Sequence, residues 1–267
     1  MRLHGARALV TGASGGLGEA IARDLAAHGA ELVLTGRREE ELTRLAAALG
    51  GSTRWMLADL RSLEGVRELL ASGGPVDVLI ANAGVEVPDP LQEIGAQELE
   101  AAVQVNLIAP LALARAVIEP MTARGRGHIV FISSVAGLAG TSANGPVYTA
   151  TKWGLRGLGL ALRQELHGTG VGVSTIFPGP VRDAGMFART EVTLPRGAGS
   201  STPVDVSRAV VRAIEHNRAE IRVAAGGVRL SAALSQVAPV LVGRLARRAG
   251  AGAIRREMMA ARRAAAK

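Results

Sequence analysis

Ala6-Arg-Ala-Leu-Val-Thr-Gly-Ala-Ser-Gly-Gly-Leu-Gly18 begins with a short apolar run that stops at a cluster of small residues. A run of this length ended by glycine reads as a buried strand, Ala6–Thr11. The periodic segment after it, Leu17–His28, reads as a helix stopped by Gly29. Between them Gly12, Gly15, Gly16 and Gly18 let the backbone turn sharply and approach a ligand. The new helix offers unpaired N–H groups and the positive end of its dipole, which suits a diphosphate. The spacing is G-x-x-x-G-x-G, distinct from the more familiar G-x-G-x-x-G.

Working outward, the same alternation continues. Strands are expected at Glu31–Thr35, Arg54–Ala58, Val76–Ala81, Gly127–Ser133, Val171–Phe177 and Ile221–Ala224. Helices are expected at Glu39–Leu49, from the cap Ser62 to Ala71, over a long stretch Ala96–Ala123, at Val147–His167, and from Thr202-Pro203 to His216. Strands separated by helices of this length imply a parallel, doubly wound α/β sheet of about seven strands with helices on both faces. The glycine cluster also contains Gly12-Ala13-Ser14-Gly15-Gly16, a G-x-S-x-G pattern that would make Ser14 a hydrolase nucleophile. Such an elbow normally follows a mid-sheet strand preceded by others, and here it follows the first. The nucleotide reading is therefore preferred.

Composition narrows the function classes. The 267 residues are 48% hydrophobic and 20% charged, as in a globular chain. The absence of cysteine excludes a disulfide framework, a thiol nucleophile and a thiolate metal site. The five histidines, at 4, 28, 128, 167 and 216, show no ligand spacing, and no metal is expected. No secretory pattern opens the sequence and no uninterrupted run of 18 apolar residues occurs, so the expectation is a cytoplasmic protein without a membrane span. The net charge of +8 is local: residues 222–267 hold ten basic side chains and one acid, Glu257, and the remainder is nearly neutral. High basicity is therefore no argument for nucleic-acid binding by the main domain.

Tyr148 is the only tyrosine, and Lys152 is one of two lysines in a chain with 29 arginines. A lysine that escapes that bias suits a task needing a compact point charge. Four residues apart on a helix, the phenol and the ammonium share a face. A free phenol titrates near about 10, and lowering that by ~3 units would need ~4 kcal/mol, to which a nearby ammonium would contribute.

With Gly12, Gly16 and Gly18, Asn82-Ala83-Gly84, Asn106, Ser134 and Tyr148-x-x-x-Lys152 in this order, residues 5–223 resemble the short-chain dehydrogenase/reductase family. The resemblance implies a single Rossmann-type domain, 1–225, and an NAD(P)-dependent oxidoreductase acting on a CH–OH group. It implies Tyr148 as general acid/base, Lys152 also holding the nicotinamide ribose, Ser134 on the substrate oxygen, and Asn106 in a water-linked proton relay. Ser133, pointing to the opposite face, is the structural companion of Ser134.

An acidic residue ending the second strand would bind the ribose 2′-hydroxyl of NAD. Here Gly36-Arg37-Arg38 stands instead. An arginine fork with Ser14 suits a 2′-phosphate, so NADP(H) is the expected cofactor, with NAD(H) as the alternative. Asp59 and Leu60 resemble the adenine contact, Leu17 lies in the glycine turn, and Asn82-Ala83-Gly84 would pack against the cofactor. Pro178-Gly179-Pro180-Val181 resembles the segment that wraps the nicotinamide, and Asp183 stands where relatives usually carry threonine. Residues 184–202 read as a lid, with Met186 and Phe187 lining the substrate pocket. The expected substrate is a small alcohol or carbonyl compound on a largely apolar body, and the expected assembly is a homodimer or homotetramer.

Residues 226–267 form a basic amphipathic helical extension. It can cover a sister subunit or lie on an anionic membrane surface, and it lacks the aromatics that stack on nucleic acid. A different-class reading keeps the nucleotide site but makes the chain a sensor or scaffold working through this tail.

Overall fold

The computed structural model describes residues 1–140, 145–182, 199–248 and 250–265. Seven strands form one parallel sheet: β1 (Arg7–Thr11), β2 (Glu31–Gly36), β3 (Arg54–Leu57), β4 (Val78–Ala81), β5 (Gly127–Ile132), β6 (Val171–Pro178) and β7 (Glu220–Val223), in the order β3-β2-β1-β4-β5-β6-β7. The order reverses between β1 and β4, where Leu9 pairs with Val33 on one side and Leu79 on the other. That crevice is where doubly wound sheets bind ligands.

Helices α1 (Gly16–Ala27), α2 (Glu39–Leu49), α3 (Leu63–Gly73), α4 (Ala96–Val103), α5 (Ala109–Ala123), α6 (Pro146–Glu165) and α7 (Pro203–Glu215) connect the strands. Two apolar clusters flank the sheet. Ile21, Leu25, Val206, Val210 and Ile214 of α1 and α7 cover one face, and Leu113, Val117, Met121, Leu155 and Leu162 of α5 and α6 cover the other. Strands buried on both faces need no alternation, and β5 and β6 are buried along their whole length. Ser62 accepts from Gly65 N at α3, and at α7 Thr202 and Asp205 cap each other reciprocally. Each such cap is worth about 1 kcal/mol.

The long helix expected over Ala96–Ala123 is broken by a π turn, Gln104–Ile108. By length and composition this helical stretch could cross a membrane, with a window of mean hydropathy 1.7. Its apolar side is spent on the sheet instead: Leu113, Ala114, Val117 and Met121 are buried.

After β7 come α8 (Gly226–Ser235), α9 (Pro239–Arg248) and α10 (Ala251–Ala265). They fold back onto the body. Ala232 packs with Leu138 and Phe177, Gln236 Nε2 donates to the Leu138 carbonyl, and Arg255 Nε donates to Pro88 O at 2.6 Å.

Candidate active site

Every sequence-predicted site segment that is described emerges at the C-terminal edge of the sheet. β1 leads into Gly12–Gly18, β2 into Arg37-Arg38, β3 toward Asp59-Leu60, β4 into Asn82–Gly84, β5 toward Ser134, and β6 into Gly179–Val181. The parallel sheet does this automatically, because each strand must hand over to a helix at the same edge.

At the β1 turn, Gly12 has φ +64°, and a Cβ there would lie 2.9 Å from Ala83 Cα. At Gly18 a Cβ would strike the Gly12 carbonyl oxygen. The turn is thus compact enough to fit only glycine at both points. Thr11 Oγ1 donates to Ile80 O and accepts from Asn82 N and Ala83 N at 3.0 Å, while Asn82 Nδ2 donates to Thr11 O at 2.9 Å. This network locks Asn82-Ala83-Gly84 against the glycine turn. The cap residue of α1, Gly15, has no side chain to satisfy the first-turn N–H groups of Gly16, Leu17 and Gly18. Those donors and the dipole fit a diphosphate.

Gly36 ends β2 beneath Ser14, whose Oγ would be 2.8 Å from a Cβ at position 36. The Arg38 guanidinium reaches the Ser14 carbonyl and pairs with Glu41 at 2.8 Å. Arg37 is exposed and close enough to help lower the Asp59 carboxyl pKa, although hydrogen bonds from Arg61 have the larger effect. Leu60 is buried beside them. Ser14, Arg37, Arg38 and Asp59 therefore share one end of the crevice.

On the other side stand the candidate catalytic residues. Tyr148 and Lys152 are buried on the first turns of α6, which starts with Pro146. Lys152 Nζ donates to Ile132 O at 2.9 Å and lies 5.5 Å from the centre of the Tyr148 ring. Ser134, just past β5, lies near enough to the phenol to favour its ionised form, and it accepts from Ala136 N at 3.1 Å. Ser133 points the other way and donates to Lys152 O at 2.9 Å. Asn106 sits fully buried in the π turn; its Oδ1 accepts from Val85 N and its Nδ2 donates to Val85 O, both at 2.8 Å. A Cβ on Gly84 would lie 3.3 Å from Asn106 Oδ1 and 3.6 Å from Lys152 Nζ, so all three groups meet there.

Burial dominates the electrostatics of this wall. It pushes the Tyr148 phenol well above its ordinary range, the Glu86 carboxylate adds to that, and the nearby Ser134 hydroxyl partly opposes it. Burial also lowers the Lys152 ammonium to about 8. Within the protein alone, Lys152 does not offset this effect. Desolvating the phenol outweighs an ammonium whose own charge is made costly by the same burial.

Past β6, Gly179 N donates to Val223 O at 2.8 Å, and Val181 forms a bridge with Ser201. The two ends of the expected lid are thereby tied together. Asp183, Met186 and Phe187 lie outside the described residues. Among the described residues, the hydrolase reading of Ser14 finds no histidine base beside it. All five histidines fall at the opposite edge: His4 before β1, His28 before β2, His128 within the start of β5, His167 before β6 and His216 before β7. His4, His28 and His216 line a concavity there, remote from the chemistry. Sequence reasoning passed over Thr11, Glu86 and Thr151; Thr151 Oγ1 accepts from Asn106 Nδ2 at 3.4 Å. The position of Thr11 beside the glycine turn was the only available signal, for Thr151 reads as an ordinary helix residue.

Fold and site together place a glycine-rich crevice on one side of the switch point and a buried tyrosine–lysine pair on the other. The family model for short chain dehydrogenases matches residues 6–193, and the chain belongs to that family of oxidoreductases. It is 38% identical over 257 residues to the ketoacyl reductase HetN of Nostoc sp. (strain PCC 7120), covering 92% of this chain and 89% of that one. It is 39% identical over 178 residues to the NADP-dependent 3-hydroxy acid dehydrogenase YdfG of Salmonella typhi, covering 65% and 71%. The crystal structure of a metagenomic short-chain oxidoreductase in complex with NADP superposes with a TM-score of 0.69 at 36% identity, covering 84% of this chain and 99% of that one.

Proposed function

We propose that this chain is an NADP(H)-dependent oxidoreductase interconverting a secondary alcohol and a ketone or aldehyde. The observation that carries the reading is the buried Tyr148 phenol, with Ser134 nearby, Lys152 Nζ 5.5 Å from its ring centre and Asn106 beside Gly84. The crevice fits the cofactor: Gly12–Gly18 would take the diphosphate, Ser14, Arg37 and Arg38 the 2′-phosphate, Asp59 and Leu60 the adenine, and Asn82–Gly84, Lys152 and Pro178–Val181 the nicotinamide half. Bound there, NADP(H) supplies or accepts a hydride.

The residues of the chain handle the proton. At neutral pH the raised pKa keeps Tyr148 protonated, the state that donates to a carbonyl oxygen. As that oxygen gains charge during reduction, Tyr148 transfers its proton and Ser134 donates a hydrogen bond to the same atom. Lys152 stabilises the phenolate left behind. Asn106 holds the loop at Val85 and fixes the π turn, a positioning task. The names of the relatives support an oxoacyl or 3-hydroxy acid compound as substrate class.

The test is NADPH oxidation against oxoacyl thioesters, 3-oxo acids and apolar ketones, with wild type and Tyr148→Phe. Turnover confined to the wild type supports the assignment. Turnover that survives removal of the phenolic oxygen would overturn it.

A further inference from the structure

The last helices expose an apolar row that the body leaves uncovered. Along α8 and α9, Leu230 and Leu234 are 62% and 50% exposed, Val237 is 87%, and Val240, Leu241 and Leu245 are 67%, 56% and 53%. The opposite side of the same helices is covered, with Ala232, Ser235 and Val242 buried. The helices are therefore docked in a fixed orientation with their large aliphatic side chains outward. Folding does not use that area, and an apolar patch of this kind marks an interaction surface.

The charge beside the row decides what covers it. Arg244, Arg247 and Arg248 stand exposed among Val240, Leu241 and Leu245, and residues 226–267 hold nine basic side chains against Glu257 alone. In a symmetric pairing of two copies the same patch is contributed twice, so two strongly basic surfaces would be brought together. An anionic bilayer satisfies both halves of the pattern at once. Aliphatic side chains enter the acyl boundary while arginines on their stems stay at the headgroups.

We propose that the outward face of α8 and α9 is a docking surface for an anionic lipid bilayer. It is joined to the site by short links. Gln236, at the α8–α9 corner, bonds the Leu138 carbonyl four residues beyond Ser134, and Arg156 of α6 bonds Gln236 Oε1. Docking would hold the bilayer next to the segment that positions Ser134. The inference concerns binding and stands apart from the catalytic reading.

Co-sedimentation of the full chain with phosphatidylcholine vesicles, with or without about 30% phosphatidylglycerol, tests it. Binding should need the anionic lipid and fall at least roughly tenfold between about 0.05 and 0.5 M salt. Arg244→Gln/Arg247→Gln/Arg248→Gln should weaken it roughly a hundredfold, since each surface charge is worth about fivefold. Val237→Ser/Leu241→Ser, at exposed positions that leave the fold intact, should weaken it at low and high salt alike. Absence of binding, equal binding to both vesicles, or indifference to both variants overturns the proposal. A lower oligomer mass by light scattering in the serine variant, with vesicle binding unchanged, assigns the face to a second copy and overturns it too.

Discussion

Tyr148, Lys152 and Asn106 are 4%, 3% and 0% exposed, whereas Arg37 and Arg38 at the far end of the same crevice stand in solvent. On the α6 side the polar groups are held by backbone: Ile132 O takes Lys152 and Val85 takes both ends of the Asn106 amide. On the β2 side Arg38 rests on Ser14 and Glu41, Arg37 stands exposed near Asp59, and both guanidinium groups border solvent where a ligand phosphate could reach them. The two ends use charge differently. A buried group does its work through desolvation, which shifts its titration, while an exposed one adds modest, salt-screened attraction and selectivity.

The sharpest way to break this contrast is at the phenol. Tyr148→Phe should lower kcat by roughly a thousandfold or more in steady-state assays while leaving NADPH affinity near wild type, since only the proton path is removed. Lys152 gives the next largest effect, read in stability. Its pKa is about 8 when folded and near 10.5 when free, so the folded state binds fewer protons between those values. The Lys152 contribution to stability then rises with pH across that window, and the cost of burying the ammonium, up to ~3 kcal/mol, is full below about pH 8 and gone above about 10.5. Urea melts at pH 7 and pH 10.5 should show this rise in the wild type and not in Lys152→Met.

Ser134→Ala should reduce kcat roughly a hundredfold, by removing one donor to the substrate oxygen, with KM for NADPH unchanged. At the exposed end, Arg37→Ala/Arg38→Ala should raise KM for NADPH about tenfold, leave KM for NADH unchanged and barely move kcat. An equal loss for both cofactors would show that the arginines do not read the 2′-phosphate.

The contrast also marks what could be read from the chain. The glycine turn and the Tyr148–Lys152 pair were legible because each is local: one a strand-to-helix junction, the other two residues on one helical face. The π turn at 104–108 was not, because one extra residue in a turn leaves an apolar pattern almost intact. Its consequence, the clamp of Asn106 on Val85, joins segments 21 residues apart. The role of Glu86 was equally hidden, since nothing in its neighbourhood in sequence says that it will face the phenol. The basic tail was legible as amphipathic, but which half of its apolar surface would be covered was not.

The sequence by itself determined the alternation of strands and helices, the parallel sheet and the residues available for chemistry, because these follow from periodicity, turn residues and composition. Tertiary structure decided how those residues titrate and which surface stays open. The Tyr148 pKa is set by burial between β5, α6 and the β4–α4 loop, and the outward turn of Leu234 and Leu241 is set by how α8 and α9 dock. Both are properties of enclosure, which arises only when distant segments meet.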